Sequence, residues 1–574
     1  KMNKLVLLFL LMFCLVQLRI NAQNDLDEKV RTQIISNTDT LALKSFKEKQ
    51  KQKSEINKEK INNLIKKNPN LLIRSSKNGK TIELKEIKNG RPVYRTTFNR
   101  VAAQTTSTDD VWSSPFNLDG SGINIGLWDG GAVDEFHTSF REGTYGQKHV
   151  FYVDPDTIPI DDHATHVAGT IVADDDNFNS KGMASKSIII SRDWNEDVIE
   201  MTNAAALLDP NFPNGILLSN HSYATITGWE WGDLRKVGSD AWYWMAGNMD
   251  IEDPDFGNYN EASFDYDEIA FNAPYYTIVW AAGNDRGQGP EPNTQHWVWN
   301  GQNWVTSTSY HPKDGEVTNG FNCLPPDGVA KNIITVGAID DIFNGYQNSS
   351  DVKQVNTDFS SWGPTKDGRI KPDIVANGDE LYSTLPNLTF GNMSGTSMAA
   401  PNVTGSIALL LQHYKNTHSG YVPLSSTVKA ILIHSADESG DHPGPDYKYG
   451  WGLLNTYKAA QLISLDQTNP TTIQEMDLLN GQPRTISNLY NDGTQPIKIT
   501  LTWNDIPPVN MVGGPILMRD LDVRLIKGGV TYYPYKLNSA SPSSAAITGD
   551  NNRDNVEQIF LQSPGAGYYT IVVL

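Results

Sequence analysis

Cysteine is almost missing from this chain: two among 574 residues, Cys14 and Cys323. A disulfide-stapled scaffold is therefore excluded, and stability must come from a packed core or from bound ions. Long apolar runs are missing as well. The stretch 5–16 is too short to cross a bilayer, so no span is expected in the mature protein. Positive charge is scarce, with 47 Lys and Arg against 66 Asp and Glu and a formal charge of −19. Without a basic face to neutralise phosphates, nucleic acid is excluded as a partner.

What is present is unevenly spread. Residues 1–100 hold 22 Lys and Arg against 9 Asp and Glu, a net of +13, which leaves −32 for residues 101–574. A basic leader on an acidic body implies two separately working pieces that attract one another. Lys4, the apolar run 5–16 and the end Ile20-Asn21-Ala22 read as a signal peptide over 1–22, so the protein is expected to be secreted or at the cell surface. Cys14 leaves with it. Lipid attachment there is disfavoured by the bulky Phe13.

Residues 23–104 follow as a propeptide-like region. Residues 25–68 are rich in Lys, Glu and Asn and read as helical, while 81–87 and 92–98, joined through Asn89-Gly90, read as a hairpin. Either this is a solvated arm or it escorts folding and is cut away near 99–110; the second reading is preferred.

From Gly122 the pattern alternates short apolar runs (123–128, 187–191, 215–218, 276–282, 333–336, 374–376) with helical stretches. Alternation of this kind predicts an α/β domain over 105–466, a parallel sheet with helices on both faces. Ligands in such folds bind beyond the carboxyl ends of the strands. Asp129 ends one run, and Asn284 follows another at Ala281-Ala282-Gly283. Gly395-Thr396-Ser397-Met398-Ala399-Ala400-Pro401 opens a helix that is apolar on nearly every face, and Pro401 fits only an opening turn. The free N–H groups there favour negative charge, including the oxyanion formed when a serine attacks a carbonyl. Asp161-Asp162-His163-Ala164-Thr165-His166 sets two histidines at another helix start.

With Leu127-Trp128-Asp129-Gly130-Gly131 and His163-Ala164-Thr165-His166-Val167-Ala168-Gly169-Thr170 preceding the serine motif, the chain resembles the subtilisin-type serine proteases across roughly 105–465. Ala281-Ala282-Gly283-Asn284, Phe359-Ser360-Ser361-Trp362-Gly363-Pro364 and Tyr449-Gly450-Trp451-Gly452-Leu453-Leu454-Asn455 add to the likeness. The resemblance implies a three-layer subtilisin-like domain acting on polypeptides with no cofactor for its chemistry. Ser397 would be the nucleophile, His163 the general base, Asp129 its orienting acid and Asn284 an oxyanion donor. Ser219, Asn220 and Ser222, with Gly283, resemble the segments that pair with the substrate main chain. Two departures stand out: Ala164 replaces the usual glycine, and His221 takes an ordinarily apolar position. His166 reads as a packed structural histidine and His137 as a surface one. A metal set of Asp162, His163 and His166 lacks the His-Glu-x-x-His spacing of zinc proteases.

The insertions 225–275 and 285–325 carry Trp229, Trp231, Trp242, Trp244, Trp297 and Trp304, which either cap the core or line subsites. Residues 467–574 read as an all-β, jelly-roll-like domain of short strands. There Asp520, Asp522, Asp550 and Asp554 are candidate calcium ligands, or equally Asx-rich turns. The chain stops inside the apolar strand at Leu574, so a further segment is expected. An inactive binding relative, or a ligase or esterase using the same acyl-enzyme, stays open beside the endopeptidase reading.

Overall fold

The structure is a computed structural model. It describes residues 28–574 apart from 69–70, 78–79, 89–90, 98–102, 143–145, 156, 175–179, 248–250, 344 and 512–514. The signal-peptide reading and Cys14 fall outside the described residues.

The N-terminal region is packed onto the body. Helix α1 (28–37) buries Val30 and Ile34, and Gln33 clamps the backbone of Val422 from both sides at 2.8 and 3.1 Å. Helix α2 (Thr40–Lys67) starts at Asp39, whose carboxylate accepts from the Ala42 N–H. It buries Leu43 and Phe46, and Gln50, Lys53 and Lys58 reach acidic groups of the body at Asp265, Glu261 and Glu196. The expected hairpin forms as β2 (Lys80–Lys88) and β3 (Arg91–Thr97), flanked by β1 (Arg74–Lys77).

Seven parallel strands build the central sheet. The chain supplies β4 (Asn124–Asp129), β5 (Val150–Tyr152), β6 (Ile188–Asp193) and β7 (Leu218–His221). After the short β8 (Tyr223–Thr225), an insertion adds β9 (Trp229–Gly232) and β10 (Ala241–Trp244). The chain returns to the sheet with β11 (Thr277–Ala281), leaves for β12 (His296–Trp299) and β13 (Trp304–Ser307), and completes the sheet with β14 (Ile334–Ile339) and β15 (Ile374–Asn377). The order is β15-β14-β11-β7-β4-β6-β5. A hairpin of β16 (Leu381–Leu385) and β17 (Thr389–Met393) follows.

Strand alternation sorts the core into two layers. Ile125, Leu127, Val279 and Ala281 face α3 (Asp162–Val172) and α6 (Thr396–Thr417). Trp128, Ile278 and Trp280 face α4 (Asp197–Ala205) and α5 (Glu261–Asn272). Helices α7 (Ser425–Ser435) and α8 (Thr456–Thr468) pack outside α6. One strand lies further along than its apolar run indicated: 215–218 predicts a strand, but pairing places β7 at Leu218–His221 and carries Ser219 and Asn220 into the sheet. The three-residue β5 is too short to show a period.

The C-terminal region is antiparallel throughout: β18 (Arg484–Asn491), β19 (Ile497–Thr502), β20 (Val523–Lys527), β21 (Val530–Tyr532), β22 (Tyr535–Lys536), β23 (Ile547–Thr548), β24 (Val556–Leu561) and β25 (Gly567–Val573). It is joined to the sheet domain through buried polar contacts, among them Lys331 Nζ donating to the carbonyls of Ile506 and Ile516 at 2.8 Å each.

Candidate active site

The carboxyl end of β4 delivers Asp129 into a fully buried position. Its Oδ1 accepts from His163 Nδ1 at 2.7 Å and from the Gly130 N–H at 2.6 Å. Burial pushes the Asp129 carboxyl up, and the His163 ring pulls it back. The ring is set by the start of α3, where Asp161 caps the helix and accepts from the N–H groups of His163 (2.9 Å) and Ala164 (3.2 Å).

Helix α6 begins at Thr396, directly after Gly395. Ser397 Oγ donates to the Ser222 carbonyl at 2.9 Å, and Ser222 Oγ donates back to the Ser397 carbonyl at 2.7 Å. The single hydroxyl proton of Ser397 is thus directed at Ser222 and not at the His163 ring. A nucleophile–base hydrogen bond often tightens only once substrate is bound. Helices α3 and α6, which carry the two residues, pack against each other.

Asn284 lies beside them. Its Oδ1 accepts from the Thr396 N–H at 3.0 Å and from Thr396 Oγ1 at 2.8 Å. With the oxygen held by two donors, the amide NH2 points the other way and is available as a donor. Thr396 Oγ1 also accepts from the Gly283 N–H at 3.2 Å. Gly283 sits at φ +99°, and an added Cβ would lie 2.5 Å from Pro325, so this position takes glycine only. A narrow crevice opens here, lined by Tyr223, Thr225, Asn284 and Ser397, with Glu230 and Asp285 also in its wall.

Of the expected substrate residues, Gly283 lines this crevice and Ser222 is tied to Ser397. Ser219 and Asn220 do not reach it. Asn220 braces Ser222 from below, donating to its Oγ at 2.9 Å and accepting from Thr404 Oγ1 at 2.9 Å. Ser219 belongs to a buried chain: Tyr276 OH donates to Ser219 Oγ, which meets His221 Nε2, while His221 Nδ1 meets Tyr223 OH, which donates to Asp197. The His221 ring stacks between Trp128 and Trp280 at 5.3 and 4.4 Å. A histidine is thus satisfied at an apolar position because both ring nitrogens have partners. The leader strand β3 pairs with β8, which begins at Tyr223, the last residue of the expected segment 219–223: it runs antiparallel, Arg95 opposite Thr225 and Thr97 opposite Tyr223.

His137 is a correction. It is buried, its ring accepting from the Ser139 N–H and meeting the Thr389 carbonyl at 3.1 Å. His166 is the packed histidine expected, its Nε2 3.2 Å from the carbonyls of Leu381 and Gly391. Of the four calcium candidates, Asp520, Asp522 and Asp550 lie together. The Arg524 guanidinium bonds both Asp522 and Asp550, so a cation already sits between them, and the neighbouring charges of Asp522 and Asp550 add to burial in raising Asp520 to about 6. Asp554 is elsewhere, accepting from the Ile370 N–H at 2.7 Å. Among the described residues, the His, Cys, Asp or Glu trio close enough to share an ion is Asp129, Asp161 and His163, with ligand atoms within 4.8 Å. All three already have partners: Asp129 and His163 bond each other, and Asp161 caps α3. Thr396 is the residue of the site that reading the chain did not single out; its clamp on Asn284 spans 112 positions.

A parallel sheet ending in a buried Asp–His pair, with a serine at a helix start and the chain order acid, histidine, serine, is the layout of one class of serine peptidase. A family model described as the Subtilase family matches residues 120–452, and the chain belongs to that family. It is 24% identical to the serine protease/ABC transporter B family protein tagA of Dictyostelium discoideum, over 82% of this chain and 30% of that protein. It is 34% identical to pyrolysin of Pyrococcus furiosus over 28% of this chain and 13% of that protein. The chain therefore spans less than a third of the length of these relatives. Among solved structures, the CspB protease of Clostridium perfringens aligns at 18% identity and a TM-score of 0.45, covering 63% of this chain and 97% of that one.

Proposed function

We propose that this protein is an exported serine endopeptidase made as a precursor. The observation that carries the reading is the buried Asp129–His163 pair at 2.7 Å, with α3 packed against α6, at whose start Ser397 shares a crevice with Asn284. Ser397 attacks the scissile carbonyl while His163 Nε2 takes its proton and later passes it to the leaving amine. Asp129 holds the imidazole through Nδ1 and stabilises its cationic form. The Asn284 amide and the Ser397 N–H stabilise the oxyanion, and the chemistry draws on protein groups alone.

The leader acts as a propeptide. Its strand β3 adds to β8 as a substrate strand would, and Arg74 donates to the Gly130 carbonyl beside the catalytic acid. The expected cut near 99–110 follows directly in the chain. A fluorophosphonate probe tests the assignment: it should label the wild type and not Ser397→Ala, and the variant should keep its leader. Equal labelling, or the same processed N-terminus in both proteins, would refute it.

A further inference from the structure

Strands β9, β10, β12 and β13 form a separate four-stranded sheet in the order β13-β12-β10-β9. Alternation divides its side chains between two faces. One face carries Trp229, Trp231, Trp242, Trp244 and Val298; at its buried end Trp244 stacks on His311 at 4.6 Å and Trp229 Nε1 donates to the Pro312 carbonyl at 2.7 Å, while Trp231 at the other end is 48% exposed. The other face carries Ala241, Tyr243, Trp297 and Trp299, continued by Met245, Leu234 and Ile226.

That second face is covered by the leader. Leu71, Leu72 and Leu84 bury against it, with Ile61, Leu64 and Ile87 at the edge. The Leu72 N–H donates to the Leu234 carbonyl at 3.1 Å, and Asn68 Nδ2 to the Gln302 carbonyl at 2.8 Å. A sheet apolar on both faces needs two partners, and one of them departs if the leader is cut. Each aromatic side chain accounts for about 150–250 Å2 of buried surface, so the uncovered face would exceed what monomeric proteins leave exposed without use.

Resting on the peptidase reading above, we propose that in the processed enzyme the Tyr243, Trp297, Trp299 and Met245 face is an exosite for aliphatic side chains of a polypeptide substrate, upstream of the cleaved bond. Continuity of the backbone identifies the occupant. A strand added on β8 in the β3 register runs upstream past Thr225, and β8 leads through Ile226 directly into the inserted sheet. The leader itself supplies the chemistry of the ligand: leucines on a segment, residues 23–100, with a net charge of +10, facing a body of −32.

The test uses the full chain after its leader has been detached by cleavage near 99–110, since the covering residues Leu71, Leu72 and Leu84 lie downstream of α2. Two peptides share one cleaved segment and differ upstream, one carrying leucines and the other serines in their place. The leucine arm should lower KM about tenfold, the factor expected when roughly one leucine is buried. Met245→Ser with Trp297→Ser should bring the ratio near one, and Met245→Leu should keep it, with fluorophosphonate labelling reporting that each variant is folded. A peptide of residues 71–88 alone, titrated by tryptophan fluorescence against its serine-substituted form, reads the exosite without cleavage. Equal KM and equal titrations for both arms would overturn the exosite while leaving the peptidase assignment intact. Binding of the leucine arm without any cleavage would do the reverse.

Discussion

Thr396→Val is the substitution that isolates how Asn284 is aimed. Valine keeps the shape and the backbone N–H that donates to Asn284 Oδ1 at 3.0 Å, and removes the hydroxyl that donates at 2.8 Å and accepts from Gly283 at 3.2 Å. Losing one neutral hydrogen bond costs about 0.5–1.5 kcal/mol, and leaving its buried partners short adds to that, about 1–3 kcal/mol of stability in all. Removing an oxyanion donor outright costs about 2.7–4 kcal/mol, a magnitude taken from the family's reference enzyme and not worked out from this chain. Thr396→Val should therefore lower kcat by about 5- to 20-fold with KM nearly unchanged, between wild type and the roughly 100- to 1000-fold loss of Asn284→Ala. Thr396→Ser restores the hydroxyl and should restore the rate. A fluorogenic peptide assay reads the rates and urea unfolding reads the stability. Wild-type kcat in Thr396→Val beside a crippled Asn284→Ala, or a loss confined to KM, would refute the reasoning.

Two further outcomes follow from buried charges. Burial pushes the Asp554 carboxyl up to about 6, against 3.8 when unfolded, although Ile370 N–H and Asn551 donate to it. A raised folded value means its contribution is fully present below about pH 4 and is lost as the pH rises through about 6, by roughly 3 kcal/mol at most. Denaturant unfolding between pH 4 and 7 should show this slope in wild type and a flatter one in Asp554→Asn; parallel slopes would remove Asp554 from the account. In the leader, Lys53 pairs with Asp265 and Glu261 at 3.0 Å each, and Gln50 also donates to Asp265. Lys53→Met leaves the buried Asp265 short of its cation and should destabilise the precursor by about 1–3 kcal/mol. Thermal unfolding should reveal the loss in the precursor and not in the processed chain, and an equal effect on both would contradict a leader latch.

The chain by itself carried everything that depends on near neighbours: the strand–helix alternation, the hairpin around Asn89-Gly90, the helix start at Ser397 and the order Asp129, His163, Ser397. Period and turn chemistry are local, so a single sequence displays them. Tertiary packing decided which face or partner each residue meets. A strand lying three residues further along than its apolar run sent Ser219 into a buried chain with His221 and left β8 to pair with the leader. His137 became a buried cap, and Arg524 arrived between Asp522 and Asp550 where acidic turns alone invite a cation. The aromatic insertions turned out to be a two-faced sheet because strands far apart in the chain came together. The Thr396 hydroxyl acquired its role only from Asn284, since a hydrogen bond between residues 112 positions apart leaves no mark on the local sequence.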